Sequence, residues 1–138
     1  ELYWCVTKKN PFKNKNFFSL SIRIKKSKLL TSKVMKIKVK YFENKIKSNS
    51  TINLIKYLNR VNKKAEFFLI IGSDNLINFH KWKNWKLLTS LTQIVVFSRK
   101  DYDLKAKKSA IVKKVKNIIF IKKKYINISS TQIRKNLN

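Results

Sequence analysis

The sequence predicts an α/β fold in which a central, mainly parallel sheet carries helices on both faces. Short apolar runs alternate along the chain with segments whose apolar residues recur at helical spacing. Two of the runs, Phe67–Ile71 and Ile94–Phe97, are continuously apolar, which is typical of parallel strands covered on both faces. The chain has 138 residues, of which 43% are hydrophobic. That is enough for one core, so we expect a single domain over residues 1–138.

Apolar runs bounded by polar residues predict five strands. These are Leu2–Thr7, Met35–Tyr41, Phe67–Gly72, Ile94–Ser98 and Ile118–Lys122. The first contains Cys5, the only cysteine, which we expect in the core. A lone cysteine permits no internal disulfide and favours a cytoplasmic location. No apolar run approaches the roughly 20 residues that a membrane span needs.

Helices are predicted between the strands. Phe17–Leu30 carries apolar residues at Phe17, Leu20, Ile24, Leu29 and Leu30, and Thr51–Val61 carries Ile52, Ile55, Leu58 and Val61 at three-residue steps. Shorter helices, each opened or preceded by a capping residue, are predicted over Ser73–Phe79, Trp85–Leu91 and Ser129–Leu137. Lysines dilute the pattern of Leu104–Val115, which stays ambiguous. Lys45–Ser50 is predicted as a polar loop.

The charge is strongly positive, since 34 Lys and Arg against 6 Asp and Glu give +28. A basic nucleic-acid-binding module is one interpretation, because phosphates attract lysine by counterion release. However, the lysines are scattered, and Lys, Asn and Ile all have AT-rich codons, so a genomic base bias explains the excess without a selected partner. We expect non-specific polyanion binding through charge.

Two polar segments point to nucleotide chemistry. Ser129, Ser130 and Thr131 precede a helical pattern with Arg134 one turn on, and a helix start with hydroxyls and an arginine suits a polyphosphate. Gly72 and Asp74 follow a buried strand, where glycine permits close approach to the backbone and aspartate accepts hydrogen bonds from ribose hydroxyls. The alternatives are an ordinary capped helix and a plain strand-to-helix turn capped by Ser73 or Asp74.

These segments occur in an order that resembles the bacterial nicotinate-nucleotide adenylyltransferases, of the HxGH-type nucleotidyltransferase superfamily. That family has a strand followed by G-x-D-x-L-x-x-F-x-x-W, as in Gly72 to Trp82, and I-S-[SA]-T-x-I-R, as in Ile128 to Arg134. Thr7–Lys13, Ser50–Leu58 and Val95–Tyr102 also agree. The resemblance implies a Rossmann-like nucleotidyltransferase fold and adenylyl transfer from ATP to nicotinate mononucleotide in NAD biosynthesis.

The resemblance also implies residue roles. ATP, with its Mg²⁺, would bind at Gly72, Asp74, Ile128, Ser129, Ser130, Thr131 and Arg134, with Arg134 serving transition-state charge. Nicotinate mononucleotide would bind at Asn10, Lys13, Thr51, Trp82 and Arg99. No metal site formed by the protein itself is predicted. Lys8, Lys9 and Ser50 depart from the residues usual in the family, so the acceptor site matches less well than the ATP site.

The family opens with a strand and a G-x-F-x-P-x-H-x-G-H turn, and this sequence contains no such motif. Gly72 is the only glycine and His80 the only histidine, and we expect His80 to be structural or on the surface. We therefore expect an N-terminally truncated domain, with the family's usual C-terminal segment also incomplete, that is inactive by itself. The alternative is a non-functional remnant of a decayed gene.

Overall fold

The chain, described here from a computed structural model over residues 1–9 and 17–122, divides into two compact units. The first is Glu1–Lys63 and the second begins at Lys64. Every strand pair in the described residues is parallel, which confirms the predicted strand direction. The strands form one two-stranded and one three-stranded sheet. The single domain over residues 1–138 stays a prediction.

The first unit contains two strands and three helices among its described residues. They are β1 (Leu2–Cys5), α1 (Leu20–Leu30), β2 (Ile37–Lys40), α2 (Glu43–Ile46) and α3 (Thr51–Val61). Leu2 of β1 pairs with Ile37 of β2, and Cys5 pairs with Lys40. Both predicted strands therefore exist, but each is shorter than its apolar run.

Helix α1 corrects two predictions. It begins at Leu20 and not at Phe17, because the Oγ of Ser19 accepts the N–H of Ile22 and caps the first turn. The predicted apolar face is also wrong at its end, since Leu29 and Leu30 are each 74% exposed. The buried residue is Ser27, one turn beyond Ile24, and Leu29, two positions past Ser27, points to the opposite side of the helix, while Leu30 is the last helical residue.

Helix α3 confirms the predicted bounds and most of the predicted stripe. Ile52, Ile55 and Leu58 are buried, whereas Val61 is 50% exposed. At 3.6 residues per turn, nine residues bring Val61 about half a turn away from Ile52. The strict three-residue step therefore carries the stripe off the buried face.

Helix α2 occupies part of the segment predicted as a polar loop over Lys45–Ser50. One helical turn spans Glu43–Ile46 and ends at Lys47, whose backbone is left-handed with a φ of 49°. The turn was not visible in the sequence because four residues are too few for an apolar period to show.

The second unit contains a three-stranded sheet ordered β3 (Phe68–Gly72), β4 (Gln93–Phe97) and β5 (Ile118–Ile121). The middle strand β4 is buried through Ile94, Val95 and Val96. Coverage on both faces is thus confirmed for β4. For β3 it is wrong, because Phe68 and Ile70 are about half exposed on an edge strand of the described sheet.

Short helices connect these strands. They are α4 (Ser73–Ile77), a 3-10 turn (Phe79–Lys81), α5 (Trp85–Leu91), α6 (Asp103–Lys107) and α7 (Ala110–Lys114). The ambiguous segment Leu104–Val115 is thus two helices, and the predicted helix Ser73–Phe79 ends at Ile77. Their fully buried side chains include Leu76, Phe79, Leu88, Ala106 and Ile111. The predicted helix Ser129–Leu137 lies outside the described residues.

No helix in residues 1–9 and 17–122 combines the length and apolar character that a membrane span requires.

Candidate functional site

The carboxyl ends of β3 and β4 lie side by side. Gly72, the last residue of β3, pairs with Phe97, the last residue of β4. Asp74 follows Gly72 by two residues, and Arg99 follows Phe97 by two residues. Gly72, Asp74 and Arg99 therefore lie at the carboxyl edge of the sheet, which is the edge where ligands bind in parallel α/β folds.

Position 72 favours glycine because a side chain there would meet its neighbours, and not because of the backbone conformation. Its φ of −84° and ψ of 158° are ordinary extended values that any residue adopts. A Cβ at this position would collide with the Oδ1 of Asp74 and lie 2.9 Å from the Nε of Arg99. The single glycine of the chain therefore makes room for these two charged side chains.

Asp74 and Arg99 form an ion pair over Gly72. The Nη1 of Arg99 lies 3.3 Å from the Oδ2 of Asp74, with the side chains 61% and 29% exposed respectively. The other carboxylate oxygen, Oδ1, is buried and has no hydrogen-bond partner among the described residues. Because a buried carboxylate oxygen without a donor is costly, this atom is suited to accept a hydrogen bond from a ligand.

The backbone of Arg99 is fixed from two sides. Its N–H donates to the Oγ of Ser73 at 3.0 Å and to the Oδ1 of Asp103 at 2.9 Å. Ser73 is fully buried, and Asp103 is the first residue of α6. These contacts anchor the main chain and leave the guanidinium of Arg99 exposed at the strand ends.

The expected cap on α4 is wrong, and its serine has another role. The N-cap of α4 is Gly72, and no side chain bonds to the first turn. Ser73 instead accepts the N–H of Arg99 from the neighbouring strand end. Likewise, Asn84 at the start of α5 makes no side-chain cap bond.

Trp82 lies at the end of the 3-10 turn. It is half-buried, and its ring stacks on that of Phe79, with centroids 4.8 Å apart and planes 24° apart. The indole Nε1 is buried and without an acceptor in the described part of the chain. The ring therefore has one face covered by Phe79, and only the opposite face can meet a flat ligand. His80, in the same turn, is exposed as expected.

Thr51 is the first residue of α3, in the first unit, and is half-buried. The preceding Ser50 does not cap the helix, and its Oγ lies 3.1 Å from the Oγ of Ser48. The hydroxyl of Thr51 thus stands at the start of an 11-residue helix, where the backbone dipole favours anions.

The segment after β1 is held by Arg23 of α1. Its guanidinium donates to the carbonyls of Phe18, Thr7 and Lys8 at 3.2, 2.6 and 2.8 Å. The N–H of Lys8 donates to Glu43 at 3.0 Å. Arg23 was not predicted as a structural residue from the sequence. A single arginine between Ile22 and Ile24 of α1 is equally typical of a solvent-exposed helix position.

The remaining predicted site residues lie outside the described residues, and their roles stay predictions. They are Asn10, Lys13, Ile128, Ser129, Ser130, Thr131 and Arg134.

Residues 1–9 and 17–122 indicate neither a protein-held metal cluster nor a thiolate nucleophile. Among the described residues, no group of three or more His, Cys, Asp or Glu could hold a metal ion. Burial raises the pKa of the Cys5 thiol, so this group stays protonated near neutral pH. The described candidate residues provide one cation, Arg99, one hydrogen-bond acceptor, Asp74, and one aromatic ring, Trp82, and these groups suit the binding and positioning of a nucleotide.

Comparisons with known proteins agree with this geometry. Residues 1–136 match the model of the cytidylyltransferase-like family. A probable nicotinate-nucleotide adenylyltransferase of Pelagibacter ubique is 48% identical over 136 residues, covering 97% of this chain and 75% of the relative. A protein of the same description from Fusobacterium nucleatum is 39% identical over 114 residues, covering 81% of this chain but only 58% of the relative.

Solved structures show the same fold. Nicotinic acid mononucleotide adenylyltransferase of Plasmodium falciparum, complexed with APC, has a TM-score of 0.73 at 18% identity, covering 98% of this chain and 67% of that one. The NaAD complex of the same enzyme has a TM-score of 0.69 at 21% identity, covering 100% and 69%. The fold is therefore that of the nucleotidyltransferases, and the chain belongs to the nicotinate-nucleotide adenylyltransferases, within the cytidylyltransferase-like family.

Proposed function

We propose that the protein transfers the adenylyl group of ATP to nicotinate mononucleotide, giving nicotinate adenine dinucleotide and pyrophosphate in NAD biosynthesis. The observation that carries the proposal is the Gly72–Asp74–Arg99 cluster at the strand ends, in a chain that is 48% identical to a relative described as this enzyme. In the reaction, a 5′-phosphate oxygen of the mononucleotide attacks the α-phosphorus of ATP. The bond from that phosphorus to the bridging oxygen breaks, and pyrophosphate leaves.

The chain's residues contribute mainly by positioning the reactants and balancing charge, since phosphoryl-type transfers need little covalent chemistry from the protein. The exposed, planar guanidinium of Arg99 would bind the phosphate of nicotinate mononucleotide in a bidentate contact. The face of Trp82 opposite Phe79 would stack on the nicotinate ring. The predicted role of Thr51 rests on the sequence alone.

ATP would bind at Asp74, the acidic residue of the Gly72–Asp74–Arg99 cluster. The buried Oδ1 of Asp74 would accept a hydrogen bond from a ribose hydroxyl or a metal-bound water, which would satisfy an atom that now has no donor in the described residues. The same oxygen fits a Mg²⁺ ion that arrives with ATP and keeps most of its waters. When bound, that ion would neutralise charge on the phosphates. Ile128, Ser129, Ser130, Thr131 and Arg134 complete this proposal from the sequence.

Two further properties belong to the proposal. A cytoplasmic location is supported by the single free cysteine, Cys5. Binding to nucleic acid is expected to be non-specific and to weaken steeply as salt rises, because the +28 charge is scattered along the chain.

The test is to extend the chain at its N-terminus with a segment that carries the family's G-x-F-x-P-x-H-x-G-H turn, to incubate it with Mg²⁺-ATP and nicotinate mononucleotide, and to measure both products. We expect equal amounts of dinucleotide and pyrophosphate, with kcat/KM lowered on the order of 10²-fold in Arg99→Gln. The matched control is Arg60→Gln, which removes an arginine that lies over the ring of Tyr57 in α3. Turnover of wild type and Arg99→Gln at the same rate would overturn the role of the cluster.

A further inference from the structure

The 3-10 turn places the rings of Phe79 and Trp82 one above the other. The backbone N–H of Trp82 donates to the carbonyl of Phe79 at 2.9 Å, which closes one 3-10 turn. Such a turn has three residues, so the side chains at its first and fourth positions are eclipsed. The stacking of the two rings is therefore set by the backbone and is not an accidental contact.

The two stacked residues differ in their surroundings. Phe79 is fully buried, and α4, α5 and α7 all pack against its turn. Trp82 is only half-buried. Phe79 is therefore fixed by close packing, whereas Trp82 depends on fewer contacts for the orientation of its ring.

The indole N–H of Trp82, which is unpaired among the described residues, destabilises the observed orientation of its ring. Its Nε1 is buried with no acceptor in the described residues, and such a donor costs free energy that a ring turned towards water would recover. Among the ring contacts in the described residues, stacking on Phe79 is the one that opposes this rotation. Phe79 thus determines whether Trp82 presents a fixed face.

We propose that Phe79 is a positioning residue of the acceptor site, which holds one face of Trp82 so that the opposite face receives the flat ring of the mononucleotide. The inference rests on the proposed function for the identity of that ligand. It does not rest on it for the effect of Phe79 on Trp82, which exists in the protein without ligand.

The first test measures the ring without any ligand. With Trp4 and Trp85 changed to Phe, Trp82 is the only remaining tryptophan, because the chain has three. In this background, we expect Phe79→Leu to shift the tryptophan emission to longer wavelength as the indole reaches water. Phe79→Tyr, which keeps the ring, should leave the emission in place. Unchanged emission in folded Phe79→Leu would overturn the inference.

The second test measures function by steady-state kinetics. We expect Phe79→Leu to raise the KM for nicotinate mononucleotide about three- to tenfold, the range of a lost aromatic pair, and to leave the KM for ATP within about twofold. The control Leu88→Ala removes apolar atoms from another fully buried side chain and should leave both KM values unchanged. An equal rise of both KM values in Phe79→Leu would indicate a general structural defect and contradict the proposal.

A double variant separates this inference from the proposed function. If Phe79 acts through Trp82, Phe79→Leu should have less than about a twofold effect in the Trp82→Leu background. A full effect in that background would refute the positioning role. If Trp82→Leu alone leaves the KM for nicotinate mononucleotide unchanged, the proposed stacking role of Trp82 fails, while the emission test still decides the effect of Phe79 on the ring.

Discussion

Arg23 and Arg99 each lie beside the end of a parallel strand, but the protein uses them in opposite ways. The guanidinium of Arg23 donates hydrogen bonds to three backbone carbonyls and so fixes the segment after β1. Arg99 is fixed through its backbone N–H, by Ser73 and Asp103, and its guanidinium stays 61% exposed. A guanidinium that donates to three backbone carbonyls stabilises the fold, whereas one that is exposed and makes a single ion pair among the described residues can bind a substrate.

The largest expected effect is that of Arg99→Gln on catalysis. We expect kcat/KM to fall on the order of 10²-fold, as for other lost contacts to developing charge, while the free energy of unfolding changes by less than about 1 kcal/mol because the ion pair is exposed. Steady-state kinetics and urea unfolding measure the two quantities. A large fall in the free energy of unfolding with unchanged kcat/KM would show that Arg99, like Arg23, stabilises the fold and does not bind substrate.

The next effect is that of Gly72→Ala. The added Cβ must displace the carboxylate of Asp74 or the guanidinium of Arg99. Both are movable side-chain ends, so we expect a small change in melting temperature but a fall in kcat/KM on the order of tenfold, since misplaced groups lose catalytic geometry. Kinetics at a temperature well below the midpoint would check this. Full activity in Gly72→Ala would show that the close approach is unnecessary.

A comparable effect is expected from Asp74→Asn, which keeps the size of the side chain and removes its charge. Losing one hydrogen bond to ligand should reduce kcat/KM about tenfold, mainly through the KM for ATP. The KM for nicotinate mononucleotide serves as the internal control. A change only in the KM for nicotinate mononucleotide would show that Asp74 contacts that substrate and not ATP.

The smallest effect on kinetics is expected from Arg23→Gln. Its three bonds to carbonyls involve partly exposed groups, which water can replace, so we expect the free energy of unfolding to fall by about 1–2 kcal/mol. The KM for ATP should stay within about twofold. A loss of kcat as large as that of Arg99→Gln would show that Arg23 also contacts substrate.

Much of the fold was predictable because it depends on local pattern. The bounds of α3 follow from apolar spacing, and the parallel strands follow from continuous apolar runs. The exposure of β3 and of Leu29 in α1 was not predictable, since it depends on which elements cover each face. Within the site, Gly72 and Asp74 were visible in the motif. The pairing of Asp74 with Arg99 depends on side-chain positions at the ends of two different strands, and the stacking of Phe79 on Trp82 depends on a 3-10 turn that the sequence did not predict.

The most direct test of the central claim, that the exposed guanidinium of Arg99 binds the phosphate of nicotinate mononucleotide, compares two ligands by isothermal titration calorimetry. Nicotinate mononucleotide carries the phosphate, and the corresponding nucleoside lacks it. We predict that Arg99→Gln weakens binding of the mononucleotide by roughly tenfold or more, the size of one lost charge-assisted contact, and leaves binding of the nucleoside unchanged. Equal weakening of both ligands, or of neither, would contradict the account.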